Sequence, residues 1–89
     1  MKEVKLFVLE GCPHCRRARE WMRELFARHP EYAKVPLTII DEEQSPGTAG
    51  AHDYYFVPTF YVGGEKRMEG VPSQEAIARV FAEAAGAGS

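Results

Sequence analysis

The first thirty residues pass from a short apolar run to a helical pattern. Val4 to Leu9 is mostly apolar and stops at Glu10-Gly11, a length and composition typical of a buried central strand. From Pro13 onwards apolar residues recur on one face, which predicts a helix that Pro30 stops. The predicted inward face of this helix consists of Cys15, Ala18, Met22, Leu25, Phe26 and His29.

The middle of the chain predicts a second strand and a short helix. Leu37 to Ile40 follows a proline and precedes an acidic run, so we predict a strand there. The strand–helix–strand order implies that the two strands pair in parallel. Ser45-Pro46 is typical of a helix start, although Gly47 and Gly50 weaken the helix. The predicted short helix includes Ala49, Ala51, His52 and Tyr55.

The last third of the chain predicts a hairpin and a closing helix. Pro58 to Val62 and Glu65 to Glu69 are predicted as two strands joined by a tight Gly63-Gly64 turn. The aromatic residues before the hairpin are expected to pack between helix and strand rather than to form a substrate surface. These aromatic residues are Tyr54, Tyr55 and Phe56.

A final helix completes the predicted order, which is β-α-β, a short helix, then β-β-α. Ser73 is the expected N-cap, Gly86 ends the helix, and residues 86–89 are expected to fray. The predicted inward stripe of this helix is Ile77, Val80, Phe81 and Ala84.

Size and charge limit the classes of protein that fit. With 89 residues, the chain is expected to form a single domain over residues 1–89. A net charge of -2 does not provide the broad basic surface that nucleic-acid binding needs. No apolar run approaches the roughly 20 residues of a membrane span, and no secretory leader pattern opens the chain. We therefore expect a cytoplasmic monomer that binds neither nucleic acid nor membrane.

The two cysteines carry most of the functional information. They lie within one short segment, Cys12-Pro13-His14-Cys15, and a disulfide across so short a loop adds little global stability. The pair therefore indicates chemistry or metal binding. Pro13 suits the first turn of a helix, which places Cys12 at the N-cap or first turn and Cys15 one turn further in.

Helix position assigns different roles to the two thiols. A helix N-terminus stabilises an anion through its free N–H groups and its dipole, so Cys12 is the expected nucleophile. Cys15 lies on the apolar stripe and suits the resolving role. His14, Arg16 and Arg17 are polarisable or positive neighbours, and we expect them to lower the pKa of Cys12 further.

Two alternatives to redox chemistry follow from the same residues. A C-x-x-C pair is half of a tetrahedral zinc site, but only His29 and His52 remain outside the loop as nitrogen ligands. The second alternative is that both cysteines are buried and purely structural, although Pro13 and His14 at a helix start do not fit a core pattern. We therefore expect redox chemistry and no bound metal.

The order of elements, Cys12-Pro13-His14-Cys15 and Val57-Pro58-Thr59 together resemble the thioredoxin superfamily, and most closely a small glutaredoxin-like member. The resemblance implies an α/β thioredoxin-like fold, with a mixed four-stranded sheet and helices on both faces. It also implies a cis peptide bond at Pro58 and a Val57 backbone free to pair with a substrate strand. Without the resemblance, Pro58 is simply a proline at the start of an edge strand.

The resemblance implies a dithiol–disulfide oxidoreductase that reduces or exchanges protein disulfides, with a redox-active Cys12–Cys15 disulfide as its only cofactor. A module that holds a metal or an iron–sulfur cluster on the same cysteines is the alternative. Leu6 stands where thioredoxins carry a buried acid, and Glu10 and Pro72 stand where glutaredoxins carry charges for glutathione. Glutathione is therefore a doubtful reductant, and we expect a flavoenzyme disulfide reductase or another dithiol.

Overall fold

The computed structural model describes residues 1–86, whose helices and strands follow the hydrophobic pattern of the chain. The strands are β1 (Val4–Val8), β2 (Leu37–Asp41), β3 (Thr59–Val62) and β4 (Glu65–Glu69). The helices are α1 (Pro13–Arg28), α2 (Pro46–Gly50) and α3 (Gln74–Gly86), with a 3₁₀ helix at Pro30–Lys34.

The four strands form one mixed sheet in the order β2-β1-β3-β4, so that β2 and β4 are its edges. β1 and β2 are parallel, whereas β3 is antiparallel to both β1 and β4. Val8 is paired with Asp41, and Phe7 is paired with Thr59. The C-terminal ends of β1 and β2 and the start of β3 therefore meet at the same end of the sheet, beside the cysteines.

Helices cover both faces of the sheet, as the resemblance implied. On one face, buried residues of β1 and β3 pack against α1 and α3, with Phe81 in edge-to-face contact with Phe26 at a centroid distance of 4.9 Å. On the other face, Phe7, Ile40 and Tyr61 form a smaller cluster against which Ala49 of α2 packs. The α/β thioredoxin-like architecture is thus confirmed.

Several predicted boundaries shift in the structure. α2 ends at Gly50, so Ala51, His52 and Tyr55 lie outside it, because two glycines and a five-residue length leave the helix little internal support. α1 ends at Arg28, and the 3₁₀ helix that follows was not predicted. Gly86 is the last residue of α3, whereas the rest of the expected frayed tail, residues 87–89, lies outside the described residues.

Within residues 1–86, no helix has both the length and the apolar character required to cross a bilayer.

Candidate active site

A tight turn between β1 and α1 sets the position of the first cysteine. The backbone N–H of Cys12 donates to the carbonyl of Leu9 at 3.2 Å, which closes a four-residue turn. Gly11, the third residue of that turn, has φ of 83°. A positive φ at this position favours glycine, because it has no Cβ to clash with the backbone. The turn therefore depends on Gly11 and delivers Cys12 to the start of α1.

Cys12 is the N-cap of α1, as the position of Pro13 predicted. Its sulfur accepts the backbone N–H of Cys15 at 3.3 Å, in the way an N-cap oxygen does in other helices. Burial of the half-exposed thiol raises its pKa, but hydrogen bonds from the Cys15 thiol and from the backbone N–H groups of Cys15 and His14 outweigh burial. The net effect is a pKa for Cys12 below its ordinary value.

Cys15 differs from Cys12 in burial and in protonation. Only 4% of Cys15 is exposed. Burial is the largest cause that raises the pKa of Cys15, which reaches about 12, and the nearby Cys12 and Glu42 charges raise it further. Both cysteines are free thiols. The pair therefore combines a more accessible thiol with a lowered pKa and a buried thiol with a raised pKa.

Of the residues around Cys12, His14 acts on the thiol through its backbone. His14 is exposed, and its backbone N–H is the group that lowers the pKa of Cys12. The guanidinium of Arg17 lies over the Trp21 ring, 4.9 Å from its centroid, and is thus directed along the helix. A role for the His14 imidazole stays a prediction.

Val57 and Pro58 lie directly before β3, at the same end of the sheet as Cys12. The bond between them is cis. Pro58 is buried and its carbonyl accepts the N–H of Gly70 at 3.0 Å. Among residues 1–86, neither the N–H nor the carbonyl of Val57 has a hydrogen-bond partner. The Val57 backbone is therefore available to an extended peptide.

The prediction for the aromatic segment before Val57 is wrong in two of three positions. Tyr54 packs as predicted, with its ring 4.8 Å from that of Phe7. Tyr55 and Phe56, however, are 84% and 67% exposed. Their backbone N–H groups donate to the Glu69 carboxylate at 2.5 and 3.0 Å, which ties this bent stretch to the end of β4 and leaves both rings exposed.

Glu69 anchors the segment that leads to Val57 and Pro58. Its other carboxylate oxygen accepts Lys66 Nζ at 2.8 Å. The Lys66 hydrogen bond, followed by those from the backbone of Tyr55 and Phe56, lowers the pKa of Glu69 to about 2. This role of Glu69 is not evident in the sequence, because a glutamate at the end of an edge strand looks like ordinary surface charge.

A groove of about 500 Å³ opens beside the cysteines, between α1 and the end of β2. Both cysteines line this groove, together with Glu10, Arg16, Arg19, Asp41 and other residues at the same end of the sheet. Glu10 is exposed, whereas Pro72 is buried. Neither position offers a cation for the carboxylates of glutathione, and the cations that line the groove are Arg16 and Arg19 of α1.

Glu42 is a second residue whose position beside β1 is not evident in any local sequence pattern. Its N–H donates to the carbonyl of Val8 at 3.0 Å, which holds it against the end of β1. Burial, followed by the Glu42 carboxylate, raises the pKa of Tyr54, and the Glu42 charge is the smallest of the causes that raise the pKa of Cys15. The parallel pairing of β1 and β2 could have indicated this position, since it brings the acidic run after β2 next to the segment that carries the cysteines.

No three histidine, cysteine, aspartate or glutamate residues within residues 1–86 come together in a way that could hold a metal ion. A tetrahedral zinc site needs four ligands. Metal binding at Cys12 and Cys15 would therefore need ligands from another molecule.

Comparison with known proteins agrees with the fold. The model of a family described as a thioredoxin domain matches residues 2–82, so the chain belongs to the thioredoxin-domain family. A thioredoxin of Methanocaldococcus jannaschii is 28% identical over 75 residues, which cover 84% of this chain and 86% of that protein. Membership of this family supports the class of thiol–disulfide oxidoreductases for this chain.

Solved structures show the same fold. Oxidised thioredoxin from Plasmodium falciparum matches with a TM-score of 0.72 and 19% identity, over 94% of this chain and 81% of that one. The periplasmic thioredoxin SoxS from Paracoccus pantotrophus, in its reduced form, matches with a TM-score of 0.66 and 22% identity, over 97% of both chains. At these identities the likeness concerns the fold, and the glutaredoxin-like subtype stays a prediction.

Proposed function

We propose that this protein is a dithiol–disulfide oxidoreductase that reduces or exchanges protein disulfides through Cys12 and Cys15. The observation that carries the proposal is the different environment of the two thiols, which shifts their pKa values in opposite directions. Cys12 is accessible at the N-cap with a lowered pKa, whereas Cys15 is buried with a pKa of about 12. Thiol–disulfide exchange requires one thiolate that attacks and a second thiol that attacks later.

The reaction has two steps that balance. The Cys12 thiolate attacks one sulfur of the substrate disulfide, which forms a mixed disulfide and releases the other sulfur as a thiolate. Cys15 then loses its proton and attacks the Cys12 sulfur, which releases the second substrate thiolate and leaves a Cys12–Cys15 disulfide. Two electrons have passed to the substrate, and an external dithiol returns them to the protein.

The site favours an extended peptide as substrate. The unpaired N–H and carbonyl of Val57 can form main-chain hydrogen bonds with a substrate strand next to Cys12. Tyr55 and Phe56 expose apolar rings next to that backbone. This arrangement supports a protein disulfide, rather than a small disulfide, as the substrate.

The electron donor in this proposal is a flavoenzyme disulfide reductase or another dithiol. Glutathione carries two carboxylates and one ammonium group, which need charged partners with good geometry. The exposed carboxylate of Glu10 repels a carboxylate near Cys12, and the buried ring of Pro72 has no N–H to donate. The cytoplasmic location and the monomeric state stay predictions from the sequence.

Replacement of each cysteine tests the assignment of roles. With a disulfide-bonded model protein such as insulin, Cys15→Ser should form a mixed disulfide through Cys12 that persists, because the second step has no nucleophile. Cys12→Ser should reduce the substrate no faster than buffer, because the remaining thiol is buried and protonated. Mass spectrometry after acid quenching identifies the adduct and the cysteine that carries it. Trapping by Cys12→Ser instead would reverse the roles, and trapping by neither variant would reject the proposed function.

A further inference from the structure

An additional residue in β4 sets the direction of the Glu69 side chain. Lys66 and Met68 lie opposite consecutive residues of β3, so Arg67 between them is an extra residue in the strand. In a regular strand, side chains alternate between the two faces, and residues three apart point to opposite faces. The extra residue reverses this alternation, and Lys66 Nζ donates to Glu69 Oε1 at 2.8 Å. The Glu69 carboxylate is thus held on the same face of the hairpin as Lys66, with its second oxygen directed at the segment before β3.

Glu69 holds the loop that carries Val57, which consists of residues 55–58 and is called the Val57 loop below. Its Oε2 accepts the backbone N–H groups of Tyr55 and Phe56 at 2.5 and 3.0 Å. Hydrogen bonds to a carboxylate are stronger than those between neutral groups. The residue after Glu69 donates its N–H, at 3.0 Å, to the carbonyl of the residue after Val57. The end of β4 therefore holds the loop on both sides of Val57.

The segment that precedes the Val57 loop gives it little support. α2 has five residues, two of which are glycines, so this helix has weak internal stability. Hydroxyl groups of β3 hold two carbonyls of the segment: Tyr61 donates to Asp53 at 2.7 Å, and Thr59 donates to Phe56. Glu69 holds N–H groups instead, so the hydroxyl contacts cannot replace it. Without Glu69, these N–H groups would bind water, which does not fix the backbone.

We infer that Glu69 is a positioning residue for protein substrates, an inference that rests on the function proposed above. By fixing the two residues before Val57, it keeps the Val57 backbone in the conformation with which a substrate strand can pair. The N–H and carbonyl of Val57, which lack a partner within residues 1–86, provide main-chain hydrogen bonds next to Cys12. Glu69 contacts neither the substrate nor the reacting sulfur atoms, so it acts only through the Val57 loop.

A loosened Val57 loop should weaken the binding of proteins and leave the chemistry of Cys12 intact. If only a fraction of the molecules holds the loop in the binding conformation, the apparent dissociation constant rises by the inverse of that fraction. Ordering a loose loop on binding also costs entropy. A small disulfide reaches the Cys12 thiolate without a strand beside Val57, so its reaction does not depend on the loop. The two kinds of substrate therefore separate positioning from a general loss of structure.

The assay compares insulin with 5,5′-dithiobis(2-nitrobenzoate), which is a small disulfide. Turnover of insulin with dithiothreitol as the reductant gives kcat and KM, and the coloured thiolate released from the small disulfide by the reduced protein reports attack by Cys12. In Glu69→Ala, KM for insulin should rise by about fivefold or more, because the lost hydrogen bonds make the binding conformation of the loop a minor state. The kcat for insulin and the rate constant with the small disulfide should stay close to those of the unaltered protein.

Further variants separate the hydrogen bonds of Glu69 from its charge and from the stability of β4. Glu69→Gln should recover much of the lost affinity for insulin, because its amide oxygen still accepts the two N–H groups. Glu65→Ala is the matched control, since it removes an exposed carboxylate of the same strand that pairs with Arg67 instead of the loop, and it should leave both reactions unchanged. If Glu69→Ala does not fold, Glu69→Met keeps the length of the side chain without an oxygen and should give the same rise in KM.

Three results with these variants would overturn the inference. An unchanged KM for insulin in folded Glu69→Ala or Glu69→Met would show that the loop does not need Glu69. An equal loss on insulin and on the small disulfide would show a general structural effect, and a Glu69→Gln protein as impaired as Glu69→Ala would reject hydrogen-bond acceptance as the cause. The unaltered protein tests the proposed function separately, because its failure to reduce insulin would reject that function and the inference with it.

Discussion

Replacement of Gly11 by alanine should destabilise the protein, although there is open space for the added methyl group. A Cβ built at Gly11 meets no atom within 4 Å, so the only cost is the backbone conformation with φ of 83°. That cost is about 1–2 kcal/mol for a residue with a Cβ. In a domain of this size, each kcal/mol shifts the melting temperature by about 4–8 °C. Gly11→Ala should therefore lower the melting temperature by about 4–16 °C.

Gly47→Ala is a matched control with the opposite expected sign. Gly47 lies in α2, its Cβ would also meet nothing within 4 Å, and its φ is not positive. Alanine is preferred to glycine in a helix by about 0.5–1 kcal/mol, so the same chemical change should raise the melting temperature. Differential scanning calorimetry on both variants and on the unaltered protein gives the comparison. A Gly11→Ala protein that melts with the unaltered one, or a Gly47→Ala protein that loses as much stability, would refute the reasoning.

Two further predictions concern pH and glutathione. Since the pKa of Glu69 is depressed to about 2, its ion pair stabilises the folded state above pH 4.5 and stops doing so as the pH falls through 2. Glu69→Gln should therefore lower the urea midpoint at pH 7 and lower it much less at pH 2. Glu43→Gln should change neither midpoint, and equal losses in Glu69→Gln at both pH values would contradict this. Glutathione with glutathione reductase should support only slow turnover on a glutathionylated peptide. Rapid turnover that saturates at low glutathione would show that a cation such as Arg16, Arg17 or Lys66 binds it.

Local sequence signals were sufficient for the main elements of the fold. The change of hydrophobic period at Pro13 located α1, and the strand–helix–strand order indicated the parallel pairing of β1 and β2. The C-x-x-C spacing at the start of α1 also identified both cysteines and placed Cys12 at the N-cap. These features depend on residues close together in the chain, so a pattern within one segment determines them.

The features that escaped prediction depend on contacts between distant segments. Tyr55 and Phe56 face outward because Glu69, at the end of a different strand, binds their backbone. Glu42 lies against the end of β1 only because β2 lies beside β1. Hydrophobic pattern alone does not tell an exposed aromatic from a packed one.

The edge strand β4 has a consequence for how the protein behaves in concentrated solution. An uncovered strand presents free N–H and carbonyl groups that another chain can extend into a larger sheet. Glu65, Lys66 and Arg67 are consecutive and exposed on β4, and Arg67 Nε donates to Glu83 of α3 at 2.9 Å. A second molecule docking there would have to strip water from these charges and break their pairing. The polar end of the hairpin thus protects the fold against intermolecular aggregation, at the edge of the sheet farthest from β2.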